Sequence, residues 1–174
     1  AERSLALQRR GILKQVYCML QIGYFKAKQA FFQFSLDDVP PEDVTFLMQR
    51  YFPGETLVVK PMSTKEYYAQ RQEISALFEY RLWTANDLPV LRDKAKLLVR
   101  TDVTATFLLA ELMVFLMAQR IVRPGYSTLQ TIIRDALSAE RDRLEKLVEA
   151  AITDEARETL ELLLTNESTL SELA

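Results

Sequence analysis

The chain contains no histidine. That removes the usual general base, the commonest neutral metal ligand and every histidine-containing triad. Cysteine is nearly absent too. Cys18 stands alone, so it closes no internal disulfide, and nothing points to secretion. Within "VYCMLQI" it reads as a small buried hydrophobe. Glycine and proline are scarce, at 4 and 6 residues, which favours long regular elements over a loop-rich β fold. No apolar run is long enough for a bilayer. The strongest, Val103–Ala118, is interrupted by Glu111 and reads as a buried core helix. The N-terminus is charged and lacks an apolar segment followed by a small-residue cleavage site. The expectation is a cytoplasmic protein without a membrane partner. No glycine-rich phosphate loop and no Cys/His metal spacing occurs, so no cofactor, metal or catalytic centre is expected. The paired acids Asp37-Asp38 and Glu42-Asp43 suit helix N-termini better than a catalytic dyad. The chain begins at Ala1 rather than Met, which suggests a piece of something longer.

What is present is helix. Hydrophobic residues make up 49% of 174, enough for a core, and 26% charge excludes wholesale disorder. Ile12, Val16, Met19 and Leu20 trace one helical face; Gly23 predicts a break, with a second short helix over Lys26–Phe32. Pro40-Pro41 with Glu42 and Asp43 opens a helix striped by Val44, Leu47, Met48 and Tyr51. Ser63-Thr64-Lys65-Glu66 and Ser127-Thr128-Leu129-Gln130 have the capping-box spacing. "TANDLP" and "RTDVT" start two more helices. After Ser127, a 3.6-residue period runs from Leu129 through Ile133 and Leu137 to Leu144 and Val148. A last helix spans Asp154–Leu164, followed by a fraying tail. The pattern predicts an all-α chain of seven or eight helices. The Pro53-Gly54 loop and the extended Thr56–Lys60 stretch predict a boundary between modules at 1–60 and 61–174.

The net charge of −2 is unevenly spread. Ala1–Phe34 sets six basic residues against Glu2 for +5, whereas Pro124–Ala174 sets five basic against eleven acidic for −6. Such asymmetry suggests an electrostatic footprint at the front, although solvated faces of opposite sign would also produce it. Lys26 and Lys28 lie beside Phe31-Phe32. Lys60, Lys65 and Arg71 surround the capped start at Ser63. Arg120 and Arg123 precede Ser127 and Thr128. A helix N-terminus has unpaired N–H groups, and arginines just upstream add charge-assisted contacts, so these places suit phosphate. These nine residues are the candidate DNA contacts. The expectation is that they form one continuous basic track. Trp83, Tyr67, Tyr68 and Tyr80 could stack on bases, but at helical spacing such residues more often form core.

Four blocks carry a resemblance: "LQIGYFKAKQAFF", "QRYFP", "YYAQRQEISALFEYRLW" and "AQRIVRPGYSTLQTIIRDALSAERDRL". In order and spacing they resemble the N-terminal region of replicative transposases of the Tn-three family. The resemblance extends from about Arg9 to Leu164. It implies tandem helix-turn-helix modules that bind double-stranded DNA at the transposon's terminal inverted repeats. It also implies an acidic catalytic triad in a later part of such a chain, so this part would have no activity alone. The matching positions are Tyr24, Lys26, Lys28, Arg120, Arg123, Gly125, Ser127 and Thr128. The implied partners are the transposon ends and the rest of a transposase chain; self-association is left open. The helix after Ser63 is the preferred reading helix, because Glu42 and Asp43 at the Pro41 helix would repel phosphate. The competing reading is a helical protein-interaction or assembly module of a larger protein.

Overall fold

The computed structural model describes residues 1–58, 60 and 63–171, with side chains through 163. Val59, inside the stretch expected to be extended, and the last three residues of the expected tail lie outside the described residues. Among the described residues eight α-helices follow one another: α1 Glu2–Leu7, α2 Ile12–Lys28, α3 Pro41–Tyr51, α4 Thr64–Leu77, α5 Asp87–Leu98, α6 Ala105–Ala118, α7 Tyr126–Ala151 and α8 Asp154–Ser171. A single 3-10 turn, Leu36–Asp38, precedes α3. The fold is all-α, as the periodicity predicts.

The central element is α2, which buries two faces at once. Val16, Tyr17 and Leu20 enter one apolar cluster with Leu36, Val39, Phe52 and Tyr67. Cys18, Ile22 and Phe25 enter another with Ala6, Ile74 and Val122. This double burial explains why Gly23 does not break the helix. A mid-helix glycine costs about 1 kcal/mol relative to alanine, less than the burial of its neighbours returns. The predicted second helix over Lys26–Phe32 does not form. α2 runs on to Lys28 and stops at Gln29, which takes the left-handed conformation (φ 47°) and donates its amide to the Phe25 carbonyl.

α4 starts as predicted. The Ser63 hydroxyl accepts from the Glu66 amide, and the Glu66 carboxylate accepts from the Ser63 amide. α7 does not. Its N-cap is Gly125 and no side chain caps it, so Ser127 and Thr128 sit inside the first turn and the expected box is not formed. The backbone of α8 continues to Ser171, past the expected end.

A third cluster joins α5, α6 and α7 around Leu91, Leu108, Leu112, Leu129 and Ile132. α4 supplies Tyr67 and Ile74 to the two clusters around α2. The clusters of α1 to α4, which Val122 also enters, are thus separate from that of α5 to α7. The connections differ from those implied by the resemblance. α3 and α4 are separated by residues 52–63, α5 and α6 by 99–104, and α6 and α7 by 119–125. These are longer than the three- or four-residue turn of a helix-turn-helix. Among the described residues, only the links from α1 to α2 and from α7 to α8 are as short as that.

Near residue 80 two extended pieces run side by side. The Arg81 amide donates to the Arg120 carbonyl at 2.8 Å, and the Val122 amide donates to the Arg81 carbonyl at 2.9 Å. Alternation then divides the side chains. Ile121 enters the α5–α7 cluster and Val122 the α2–α4 cluster. Just beyond, Asp87 opens α5. Its carboxylate accepts from the Thr84 amide at 2.8 Å, the Thr84 hydroxyl at 2.9 Å and both ends of the Arg81 guanidinium. Arg81 holds that carboxyl down at about 2.

Candidate nucleic-acid interface

The basic residues gather at the two ends of α2, separated by about 21 Å of helix rise between Lys14 and Lys28. These two positions are two heptads apart and so fall within about 40° of each other around the helix. They are not one continuous track.

At the start of α2, Gly11 is the N-cap with φ 91°, a conformation that side-chain-bearing residues rarely adopt. No side chain caps this end, and its first turn carries no acid. A cleft of about 540 Å³ opens here, lined by Arg10, Gly11, Lys14, Val58, Lys60 and Glu66, among others. Lys14 donates to Glu66, whose carboxyl is held down at about 2, first by Lys14 and then by Ser63. The mouth of α4 is therefore already occupied by a carboxylate of its own. Arg10, Lys60 and Lys65 are exposed and form no ion pair among the described residues. Arg10 escaped the sequence reading because it is distant from Ser63 in the chain. The fold brings it to Lys60 by setting α2 beside α4.

At the other end of α2 most of the predicted cations are engaged. Lys26 pairs with Glu2 at 3.1 Å. Arg123 donates its guanidinium to the Lys28 carbonyl and to the Met113 sulfur, the latter at 3.6 Å, while its amide donates to the Gln29 carbonyl at 3.0 Å. Burial pulls the Arg123 guanidinium below its ordinary range. Arg120 has φ 52° and lies over the Tyr80 ring at 5.5 Å. Arg71 lies over Phe31 at 5.1 Å and over Tyr67 and Tyr68 at 5.5 and 5.8 Å. Between these two arginines Phe25 stacks on Phe31 and meets Tyr80 edge-on. Lys28 is exposed and unpaired among the described residues. Ser127 is exposed at the uncapped start of α7, and Thr128 is half-buried behind it.

"RIVRPG" is thus a structural splice before it is anything else. Each residue has a place: Arg120 on a ring, Ile121 and Val122 in different cores, Arg123 on the end of α2, Pro124 buried, Gly125 as N-cap. Replacing Arg123 with alanine should therefore reduce stability by about 1–3 kcal/mol, the cost of removing a charge-assisted bond and orphaning its acceptor. Denaturant unfolding of the variant checks this; an unchanged midpoint would contradict the tie.

The described part of α4 offers a second feature that burial reveals and sequence did not. Tyr67, Gln70 and Ile74 are buried, which leaves Lys65, Tyr68 and Gln72 along the opposite, exposed face, with the small Ala69 half-buried between them. Arg71 braces Tyr68 from the side. Glu42 and Asp43 are exposed at the start of α3. Among the described residues no group of three or more His, Cys, Asp or Glu side chains is placed to hold a metal ion. No helix there is long and apolar enough to cross a membrane.

Residues 1–136 match a family described as a domain of unknown function, DUF4158. The chain belongs to that family. No curated protein matches it. The DUF4158 match takes in α1 to α6 and the first part of α7, hence every cationic residue discussed above.

Proposed function

We propose that this DUF4158 chain is the DNA-binding front of a transposase like those of the Tn-three family, and that it binds duplex DNA at terminal inverted repeats. The supporting observation is the gathering of Arg10 and Lys60 around the uncapped N-terminus of α2, with Lys65 on the first turn of α4, whose Glu66 lines the same cleft; none of the three is paired with an acid among the described residues. Phosphate is the ligand such a place suits: cationic side chains and unpaired amides converge there, and phosphate contacts fix the register of a protein on the duplex. In this reading Lys28, at the far end of α2, adds a second backbone contact roughly six base pairs away, taking 3.4 Å per base pair. α4 lies across the groove with Lys65, Tyr68 and Gln72 outward. Glutamine reads adenine at the major-groove edge, while Lys65, on the first turn of α4, stays with the phosphates. Arg71, Arg120 and Arg123 hold the aromatic cluster and the splice in shape, and act on DNA only through that. Ser127 and Thr128 face the backbone at the open start of α7.

This assignment separates two kinds of variant. Gln72→Ala and Tyr68→Ala should relax discrimination between the terminal repeat and a scrambled duplex by about 1–3 kcal/mol at the affected position, with general affinity retained. Competition binding with single-base variants of the repeat measures this. Uniform weakening on all duplexes would remove α4 from the groove. The competing reading as an assembly module draws on a different surface, the far half of α7.

A further inference from the structure

α7 outruns the body it packs on. Ile132, Ile133, Ala136 and Glu140 are buried, but from Arg141 to Ala151 every side chain is exposed. So are those of α8 through Leu163. On this free length Leu144, Leu147 and Val148 are 43%, 52% and 58% exposed. A solitary helix of three turns is marginal in water, and an apolar stripe on one seeks cover.

Two clefts adjoin along α7. One, of about 560 Å³, is lined by Leu109, Tyr126, Ile133, Arg134, Leu137 and Arg141, among others. The next, of about 650 Å³, is lined by Leu137, Arg141, Leu144, Glu145, Val148 and Glu149, among others. Leu137 and Arg141 belong to both, so a single groove of about 35 Å runs from Tyr126 to Glu149. Its charges are ordered. Arg134 and Arg141 come first, then Glu145 and Glu149; Glu140, which also lines the groove, is buried and already paired with Arg143. Arg141, Glu145 and Glu149 form no ion pair among the described residues, while Arg134 pairs with Asp135.

That order selects the occupant. A basic helix would oppose its cations to Arg134 and Arg141, and an acidic helix would oppose its carboxylates to Glu145 and Glu149. A helix of mixed sign fits when its order is reversed, and α7 itself, run antiparallel, has that order. We propose that the groove from Arg134 to Glu149 is closed by α7 of a second copy of this chain, antiparallel about a two-fold axis between residues 142 and 143. In that register Leu137 lies opposite Val148, and Leu144 lies opposite the stem of Arg141. Each Arg141 guanidinium then falls beside Glu145 of the other copy, and symmetry makes the contact twice. A parallel pairing would set like charges together along the whole groove. The DNA contacts of α2 and α4 are on other helices, and Ser127 and Thr128 precede the paired stretch of α7, so the two readings stand or fall separately.

Sedimentation equilibrium of the 174-residue chain over a concentration series tests the pairing. The result expected is a monomer–dimer equilibrium. Leu144→Asp should abolish it; the site is half-exposed, so circular dichroism should show the helices intact. Arg141→Glu or Glu145→Arg alone should weaken the dimer by about tenfold or more, as like charges meet across the axis. The two substitutions together should restore it, because the pair is re-formed with reversed sign. A monomer at every concentration, or a dimer indifferent to Leu144→Asp and to the charge reversals, overturns the proposal. A double variant as weak as the singles does so too.

Discussion

Phe25→Ala is expected to lower the unfolding free energy by about 3–5 kcal/mol, the usual cost of deleting a buried ring. Phe25 is 2% exposed. Its ring stacks on Phe31 at 4.8 Å, and meets Phe78 at 5.5 Å and Tyr80 at 5.3 Å. One side chain thus joins α2 and the segment after it to the end of α4, about 50 residues away. Arg71 rests on Phe31 and Arg120 on Tyr80, so both cation–ring contacts lose their support when Phe25 goes. For a chain of this length such a loss is worth a fall of about 10 °C or more in the thermal midpoint. Phe46, 62% exposed on α3, is the control: its alanine variant should stay within about 0.5 kcal/mol of the parent. Thermal unfolding of the pair decides. Equal midpoints would mean that the aromatic cluster does not organise the splice.

Replacing Arg10, Lys60 and Lys65 together with alanine is expected to have the largest effect on DNA. Each phosphate contact contributes about 0.9 to the slope of log affinity against log salt, so the slope should become shallower by nearly three. At about 0.15 M salt that corresponds to a loss of roughly 100-fold in affinity. Fold stability should hardly change, because the three side chains are exposed and make no ion pair among the described residues. Lys96→Ala is the matched control, since Lys96 is exposed and paired with Asp93 on α5. Fluorescence anisotropy over a salt series reads both variants. A triple variant with an undiminished slope would remove the start of α2 from the interface.

The all-α fold was legible in the sequence because helical periodicity is local. So was the cap at Ser63, where both partners of the box lie within four residues. The errors have a common cause. Gly23 reads as a break when only its neighbours in sequence are weighed, yet Leu20, Ile22 and Phe25 are buried on two sides of α2 and carry the helix through. Ser127 has the spacing of a capping box, but Pro124 is buried and the splice puts the N-cap two residues earlier, at Gly125. Arg123 looked free because its acceptor, the Lys28 carbonyl, is 95 residues away. Arg10 looked irrelevant for the opposite reason. Its neighbour Lys60 arrives only when α2 and α4 lie side by side. Charge counts find where cations are plentiful; only tertiary contacts show which of them are already engaged.

If the unpaired cations at the start of α2 grip duplex backbone while α4 reads the bases, anisotropy will show both. The chain is titrated across salt on the terminal repeat of its own element, beside a scrambled duplex of equal length. The expected result is tighter binding to the repeat at every salt concentration, with both affinities falling steeply as salt rises. Equal, weak and salt-insensitive binding to the two duplexes would contradict it.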